Sequence, residues 1–209
     1  MSIIEKCPLC HHKSRNFFED YFHCNVCDAV FLSETKHPSR LEEKARYETH
    51  NNDVEDENYQ KFVSPITNSI CRDFTPEAKG LDFGAGTGPV ITRILCDRGC
   101  NIQIYDPFFH DYPELLDDKY DYIACCEVIE HFHHPDREFG LLANLLKPAG
   151  KMYCMTEIYN PDIDFANWYY KNDPTHVFFY QRQTFAWIKE NYPFSSLEIE
   201  KRLTTLQKT

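Results

Sequence analysis

An α/β fold on a central, mostly parallel sheet is what these 209 residues predict, with a small cysteine-held ribbon in front of it. Three observations carry that prediction. Leu81-Asp82-Phe83 runs into the glycine-spaced turn Gly84-Ala85-Gly86-Thr87-Gly88, and an amphipathic run follows from Pro89, which reads as strand, tight turn and helix. Strand-like and helix-like segments then alternate along the rest of the chain. Near the N-terminus, Cys7-x-x-Cys10 and Cys24-x-x-Cys27 stand 13 residues apart, a spacing that can set four thiolates in a tetrahedron.

Taken in order, residues 1–32 read as a ribbon with a structural zinc on Cys7, Cys10, Cys24 and Cys27. Asn16 to Tyr21 and Ala29 to Leu32 are its expected short strands. Metal binding supplies folding energy to a unit too small to bury a core alone. Residues 33–58 are polar and acidic. Ser39 with Glu42 forms a candidate N-terminal cap. Tyr47, His50, Asn51 and Asn52 combine an aromatic face with neutral hydrogen-bonding groups, which suits a lid over a ligand site. Tyr59 to Phe74 has apolar residues every fourth position and predicts a helix; Pro76 and Gly80 break the chain before the first strand. Helix Pro89 to Gly99 leads to strand Asn101 to Tyr105. That strand ends in Asp106, 24 positions after Asp82, placed to accept ribose hydroxyls. Only 13 residues, Pro107 to Lys119, precede the next strand, Tyr120 to Cys126, too few for a helix and a strand. The sheet should therefore be truncated after its second strand. Helix Asp136 to Leu146 follows, then a turn at Lys147-Pro148-Ala149-Gly150 and strand Lys151 to Thr156. Helix Gln183 to Tyr192 and strands Ser196 to Lys201 and Leu203 to Gln207 complete the fold.

Leu81 to Gly88, Asp106, Tyr120 to Glu127 and Leu146 to Lys151 resemble the successive motifs of class I S-adenosylmethionine-dependent methyltransferases. The resemblance implies a Rossmann-like sandwich with an antiparallel last strand, occupying residues 59–209, and S-adenosylmethionine as cofactor. Carried over, Asp82, Gly84, Ala85, Gly86, Thr87 and Gly88 border the cofactor's amino-acid end, and Asp106 its ribose. Pro107, Phe108, Cys126, Glu127, Tyr47 and Asn52 complete the cofactor pocket, with Phe108 and Phe109 offering stacking surface in place of the missing third strand.

A second constellation is Glu127-Val128-Ile129-Glu130-His131. If helical, positions i, i+3 and i+4 share one face at the carboxyl end of a central strand, where open α/β sheets bind ligands. With His176 in Asp173-Pro174-Thr175-His176, the segment is similar to ubiquinone-pathway O-methyltransferases and to small-RNA 2′-O-methyltransferases. Those relatives imply a divalent metal on Glu127, Glu130, His131 and His176. Asp173 fits their spacing less well. Carboxylates with imidazoles suit Mg, Mn, Fe or Zn, and a bound cation acidifies a coordinated hydroxyl. Without metal, His131 or His176 is the candidate general base. The aromatic run from Phe165 to Tyr180 would wall the acceptor pocket.

Composition narrows the partners. Net charge is −11, from 22 basic and 33 acidic residues, which weighs against broad phosphate-backbone binding. No apolar run approaches membrane-spanning length and no signal-peptide pattern opens the chain. The six cysteines outside the paired motifs fall in apolar or helical contexts, as in a reducing, cytoplasmic compartment. The expected function is O-methylation of a small-molecule or sugar-like hydroxyl. Two rivals remain: an RNA methyltransferase that grips substrate with the ribbon, and a non-catalytic S-adenosylmethionine-binding module.

Overall fold

Residues 4–50 and 52–209 are described by a computed structural model; Asn51, assigned above to the lid, lies outside the described residues, as do Met1, Ser2 and Ile3. Strands β1 (Ile4–Lys6), β2 (Lys13–Phe18), β3 (Tyr21–His23) and β4 (Val30–Leu32) pair antiparallel in chain order. The single strand expected over Asn16 to Tyr21 is instead a hairpin, because Glu19 turns the chain with a left-handed φ of 47°. β-Propensity marks residues that fit a pleated surface and does not reveal a two-residue reversal among them.

Ser39 begins α1 (Arg40–Tyr47) with the reciprocal capping box expected of Ser39 and Glu42. α2 (Glu57–Asp73) starts at an Asp56 cap and buries Val63, Ile66 and Ile70. Then come β5 (Lys79–Phe83), α3 (Val90–Asp97), β6 (Asn101–Tyr105), β7 (Tyr120–Cys126), α4 (Pro135–Leu145), β8 (Leu146–Met155), β9 (Phe178–Phe179), α5 (Arg182–Asn191), β10 (Phe194–Glu200) and β11 (Leu203–Lys208).

The main sheet has the order β10-β11-β8-β7-β5-β6. β6, β5, β7 and β8 are parallel, and β11 runs antiparallel to both of its neighbours. This is the Rossmann-like class I arrangement, truncated as the short connection requires. Pro107 to Lys119 contributes only an isolated bridge between Asp106 and His110 and a 3-10 turn, Pro113–Asp117, so β6 is an edge strand. The expected turn at Lys147 to Gly150 is absorbed into β8 as an irregularity. Tyr120 faces Leu146 and Tyr122 already faces Lys151, with Ala149 at φ 62° between them.

The ribbon does not stand apart. β4 pairs with β9, Val30 against Phe179 and Phe31 against Phe178, which makes a five-stranded second sheet. Phe31 stacks between Phe22, at 5.8 Å, and Phe178, at 6.4 Å, and all three are buried. One apolar core runs from Leu9 and the four cysteines through these rings to Leu81, Ile123 and Phe139. Among the described residues no helix is long and apolar enough to cross a membrane.

Phe31→Ala removes the ring common to ribbon and main domain. It should cost about 3–5 kcal/mol and lower one cooperative urea transition seen by both far-ultraviolet circular dichroism and tryptophan fluorescence. A ribbon-only loss, with tryptophan unfolding unchanged, would contradict the shared core.

Candidate active site

The carboxyl ends of β5, β6 and β7 open onto a cleft of about 850 Å³, within the range of small-molecule sites. Gly84 leaves β5 with φ 78°, and a Cβ there would strike Val128 at 2.5 Å. At Gly88 the fit is closer still: an added Cβ would lie 1.7 Å from the carbonyl oxygen of Asn52. Asn52 thus rests directly on the glycine loop. Tyr47, His50 and Asn52 line the cleft with Asp82, Gly84 to Gly88, Asp106, Pro107, Phe108, Cys126, Glu127, His131 and His176. Every residue assigned from sequence to the cofactor pocket therefore borders one cavity.

The two acids of the loop are held differently. Asp82 is buried and accepts the Thr92 hydroxyl at 2.8 Å; burial pushes its carboxyl up to about 6. Asp106 accepts Gly86 N–H on Oδ2 at 2.9 Å, and Phe108 and Phe109 N–H on Oδ1 at 2.8 and 3.1 Å. Phe108 itself is packed by Arg40, 4.7 Å from its ring centre, and by Tyr47 at 5.4 Å.

The helical face expected for Glu127, Glu130 and His131 does not form. Glu127 has a left-handed φ of 52°, and only Ile129–His131 coil, as a 3-10 turn. Glu127 is still bonded to the sheet through its N–H and the Met155 carbonyl, 2.8 Å away, so the chain must turn sharply at that residue. Its carboxylate takes both bonds of Arg202 Nη2 at 2.8 Å and stands apart from the group formed by Glu130, His131 and His176. In that group one ligand-competent atom from each residue lies within 4.8 Å of the others.

Tyr170 organises this region. Its hydroxyl touches Glu130 Oε1, lies 3.1 Å from Glu127 Oε2, and is 3.0 Å from the Thr156 hydroxyl. One phenolic proton cannot serve two carboxylates. Burial, followed by the neighbouring Glu130, pushes Glu127 up to about 8, and burial pushes Glu130 up to about 7. The pair therefore keeps a proton near neutrality. Glu130 Oε2 is buried without a partner.

Both histidines are neutral. His131 Nδ1–H donates to the Thr175 carbonyl at 2.9 Å, and His176 Nδ1–H to the Tyr170 carbonyl at 2.7 Å. Their rings are 4.7 Å apart. Burial lowers His131 to about 4; burial and then His131 lower His176 to about 3. Because a carbonyl only accepts, each ring is left with a free Nε2 lone pair. His133 packs tilted against His37, 4.5 Å between ring centres, and sits 3.2 Å from Glu43.

The sequence profile described as a methyltransferase domain matches residues 55–199. The chain belongs to this methyltransferase family. Ubiquinone biosynthesis O-methyltransferase of Aeromonas salmonicida is 26% identical over 82 residues, covering 39% of this chain and 34% of that protein. The enzyme of the same name from Erwinia tasmaniensis is 26% identical over 91 residues, covering 44% and 37%. The chain thus aligns with little more than a third of these curated relatives. Among solved structures, 1,6-didemethyltoxoflavin-N1-methyltransferase of Burkholderia thailandensis, with bound 1,6-didemethyltoxoflavin and S-adenosylhomocysteine, superposes with a TM-score of 0.55 at 14% identity, over 91% of this chain and 100% of that one. A SAM-dependent methyltransferase from Archaeoglobus fulgidus gives 0.54 at 21% identity, over 68% and 72%. These superpositions establish the shared fold.

Three participants in this methyltransferase-family site went unassigned in the sequence. Arg202 lies in the β10–β11 turn, with no motif around it, and joins Glu127, Glu157 and Tyr169. Tyr170 was visible only as one ring of an aromatic run. Arg46, in α1, pairs with Asp173 at 2.7 Å; two opposite charges 127 residues apart carry no local signal of contact. Apart from the cleft, Cys7, Cys10, Cys24 and Cys27 form a buried cluster, with Cys7–Cys27 at 3.5 Å and Cys10–Cys24 at 3.3 Å.

Glu130→Gln should alter stability in a pH-dependent way. The wild-type carboxyl is raised from 4.5 to about 7, so its folded form holds a proton that the unfolded chain releases. Wild-type stability is full below pH 4.5 and falls as pH rises through about 7. Gln, always neutral, avoids that loss. Urea unfolding without added divalent ions should show the variant equal at pH 4.5 and ahead by up to about 3 kcal/mol above pH 7.

Proposed function

We propose that this chain is an S-adenosylmethionine-dependent methyltransferase that methylates a hydroxyl of a small-molecule acceptor. The observation that carries the reading is the convergence, on one cleft, of the glycine loop, Asp106, His131 and His176, with buried Glu130 within ligand reach of both imidazoles. Family membership supports methyl transfer. The O-methyltransferase names of the aligned relatives support oxygen as the acceptor atom.

The cleft's residues fit the cofactor. Gly84 and Gly86 take positive φ and bring bare backbone to the cavity wall. Asp106 stands at the tip of β6 with one Oδ2 lone pair uncommitted, enough for one ribose hydroxyl. S-adenosylmethionine would supply an activated methyl group. The protein's contribution is then alignment and exclusion of water. The 33–58 segment serves as the lid, with Asn52 over the loop and Tyr47 against His131, 5.2 Å between rings.

The cluster of Glu130, His131 and His176 also fits a divalent cation. Glu130 Oε2 is an orphaned buried acceptor, and each imidazole gives its Nδ1–H to a backbone carbonyl, as metal-bound histidines do. Imidazoles lowered to about 4 and 3 are weak bases, which favours ligation over proton abstraction. A cation there would acidify the acceptor hydroxyl. Glu127 takes no part; Arg202 holds it.

The cysteine cluster fits a structural zinc. Cys7 and Cys24 each begin a knuckle with one bonding pattern: His11 N–H to Cys7 O and Cys7 N–H to His12 O, then Asp28 N–H to Cys24 O and Cys24 N–H to Ala29 O. A tetrahedron with metal–sulfur bonds of about 2.3 Å has edges near ~3.8 Å, close to the 3.3 and 3.5 Å found here.

Calorimetry with S-adenosylhomocysteine tests the cofactor reading. Wild-type protein should bind, and Asp106→Ala should bind at least about tenfold more weakly; equal affinities would remove Asp106 from the site. Metal analysis should find one zinc per chain, lost in Cys24→Ser together with global stability. Electron paramagnetic resonance with added Mn²⁺ should count one further site that Glu130→Ala abolishes and Glu127→Gln retains.

A further inference from the structure

We propose that Glu138 is the residue that selects adenine, accepting the 6-amino group of the cofactor's base at the end of the cleft beyond Asp106. The inference rests on the S-adenosylmethionine reading above and names the side chain that makes that site specific for the base.

Among the described residues six acids line the cleft, and five of them are committed. Asp82 accepts the Thr92 hydroxyl, Asp106 three backbone N–H groups, and Glu127 the Arg202 guanidinium. Glu43 faces His133 at 3.2 Å and accepts the Tyr47 hydroxyl at 3.4 Å. Asp173 holds Arg46 and Thr175. Glu138, in α4, is the sixth. It is half-buried, and among the described residues no side chain hydrogen-bonds to its carboxylate. Burial, and then Asp136, pushes that carboxyl above its usual range. A half-buried acceptor without a protein donor is completed by water or by a ligand.

The position of Glu138 selects the donor. Burial pushes the Tyr105 hydroxyl up, and the charges of Asp111, Glu138 and Asp106 add to it, which places Glu138 and Asp106 around one phenol at the tip of β6. The base and the 5′ sulfonium chain of the cofactor leave the sugar from opposite ends. With the chain at the glycine loop and the ribose on Asp106, the base lies beyond Asp106. Phe108, Phe109 and Phe132 line that end. Arg40 clamps Phe108, with Cζ 4.7 Å from the ring centre and Nη2 donating to the Pro107 carbonyl at 2.7 Å. Phe132 packs edge-on against Phe83 and Phe139, at 6.4 and 6.0 Å, and Phe139 follows Glu138 in α4. Aromatic faces with one free acceptor match a flat base that carries one exocyclic amine. Arg40 cannot take that role, because a guanidinium only donates. β6 is the edge of the sheet, so among the described residues no further strand offers an acceptor there.

Calorimetry on the full chain compares S-adenosylhomocysteine with its purine analogue, which lacks only the 6-amino group. Wild type should bind the purine analogue at least about tenfold more weakly. Glu138→Ala should weaken S-adenosylhomocysteine by a similar factor, leave the purine analogue within about twofold, and so erase the preference. Glu138→Gln, whose amide oxygen still accepts, should keep part of it. Equal wild-type affinities overturn the proposal without any variant, and so does an undiminished preference in Glu138→Ala. In both of those results S-adenosylhomocysteine still binds, and the cofactor reading stands. A wild type that binds neither compound instead removes the cofactor reading, and this inference with it.

Discussion

The backbone of Val177 joins three parts of the molecule. Its N–H donates to the Glu130 carbonyl at 3.0 Å, and its carbonyl accepts the Leu32 N–H at 2.8 Å. The residue is 1% exposed, so neither group has water as an alternative partner. Leaving such a pair unsatisfied costs about 1–3 kcal/mol per group. The ribbon, the His176 loop and the Glu130 turn are therefore fixed in one mutual register. His176 immediately precedes Val177 and β9 immediately follows it, so the position of the imidazole is set by the same bonds that attach the ribbon. The ribbon supports the cleft without lining it.

Within that frame three carboxylates gather beyond the carboxyl ends of β7 and β8. Glu127, Glu130 and Glu157 share one guanidinium and two phenols, from Arg202, Tyr169 and Tyr170. Two imidazole lone pairs and one carboxylate oxygen stay uncommitted. Buried carboxylates usually balance such an account with a cation or a retained proton. The raised carboxyls of Glu127 and Glu130 are the proton solution, and an ion on Glu130, His131 and His176 would be the other. Arg202 decides which acid is available: its Nη2 holds both oxygens of Glu127, whereas Glu130 keeps Oε2 unpartnered.

Local signals specify their own elements. The Ser39–Glu42 box, the strands Asn101–Tyr105 and Tyr120–Cys126, and the truncation after Asp106 are stated by nearby residues: a cap, an apolar run with turn signals, a count too small for two elements. The glycine loop and Asp106 share one cleft because the order of strand, glycine loop and acidic strand end implies a parallel sheet, which places both at one edge. The structure departs from the sequence pattern where one backbone angle overrides composition. Glu19 and Glu127 take a left-handed φ and turn an expected strand into a hairpin and an expected helix into a sharp turn; at Ala149, also left-handed, an expected turn becomes an irregularity within β8. Such a conformation in a residue other than glycine is set by surrounding hydrogen bonds and not by its own preference.

By itself the sequence determined the sheet, the glycine loop, the pairing of the cysteines into one cluster and the composition of the cleft, since each depends on residues near one another or on strand order. Tertiary structure alone decided that Glu127 belongs to Arg202, that Tyr170 bridges two carboxyls, that Arg46 reaches Asp173, and that the ribbon shares a sheet with Phe178 and Phe179. Those contacts join positions 40 to 149 residues apart, for example 75 between Arg202 and Glu127 and 127 between Arg46 and Asp173. Their partners are chosen by burial and by the need to satisfy every polar group within it, conditions that exist only once the chain has folded.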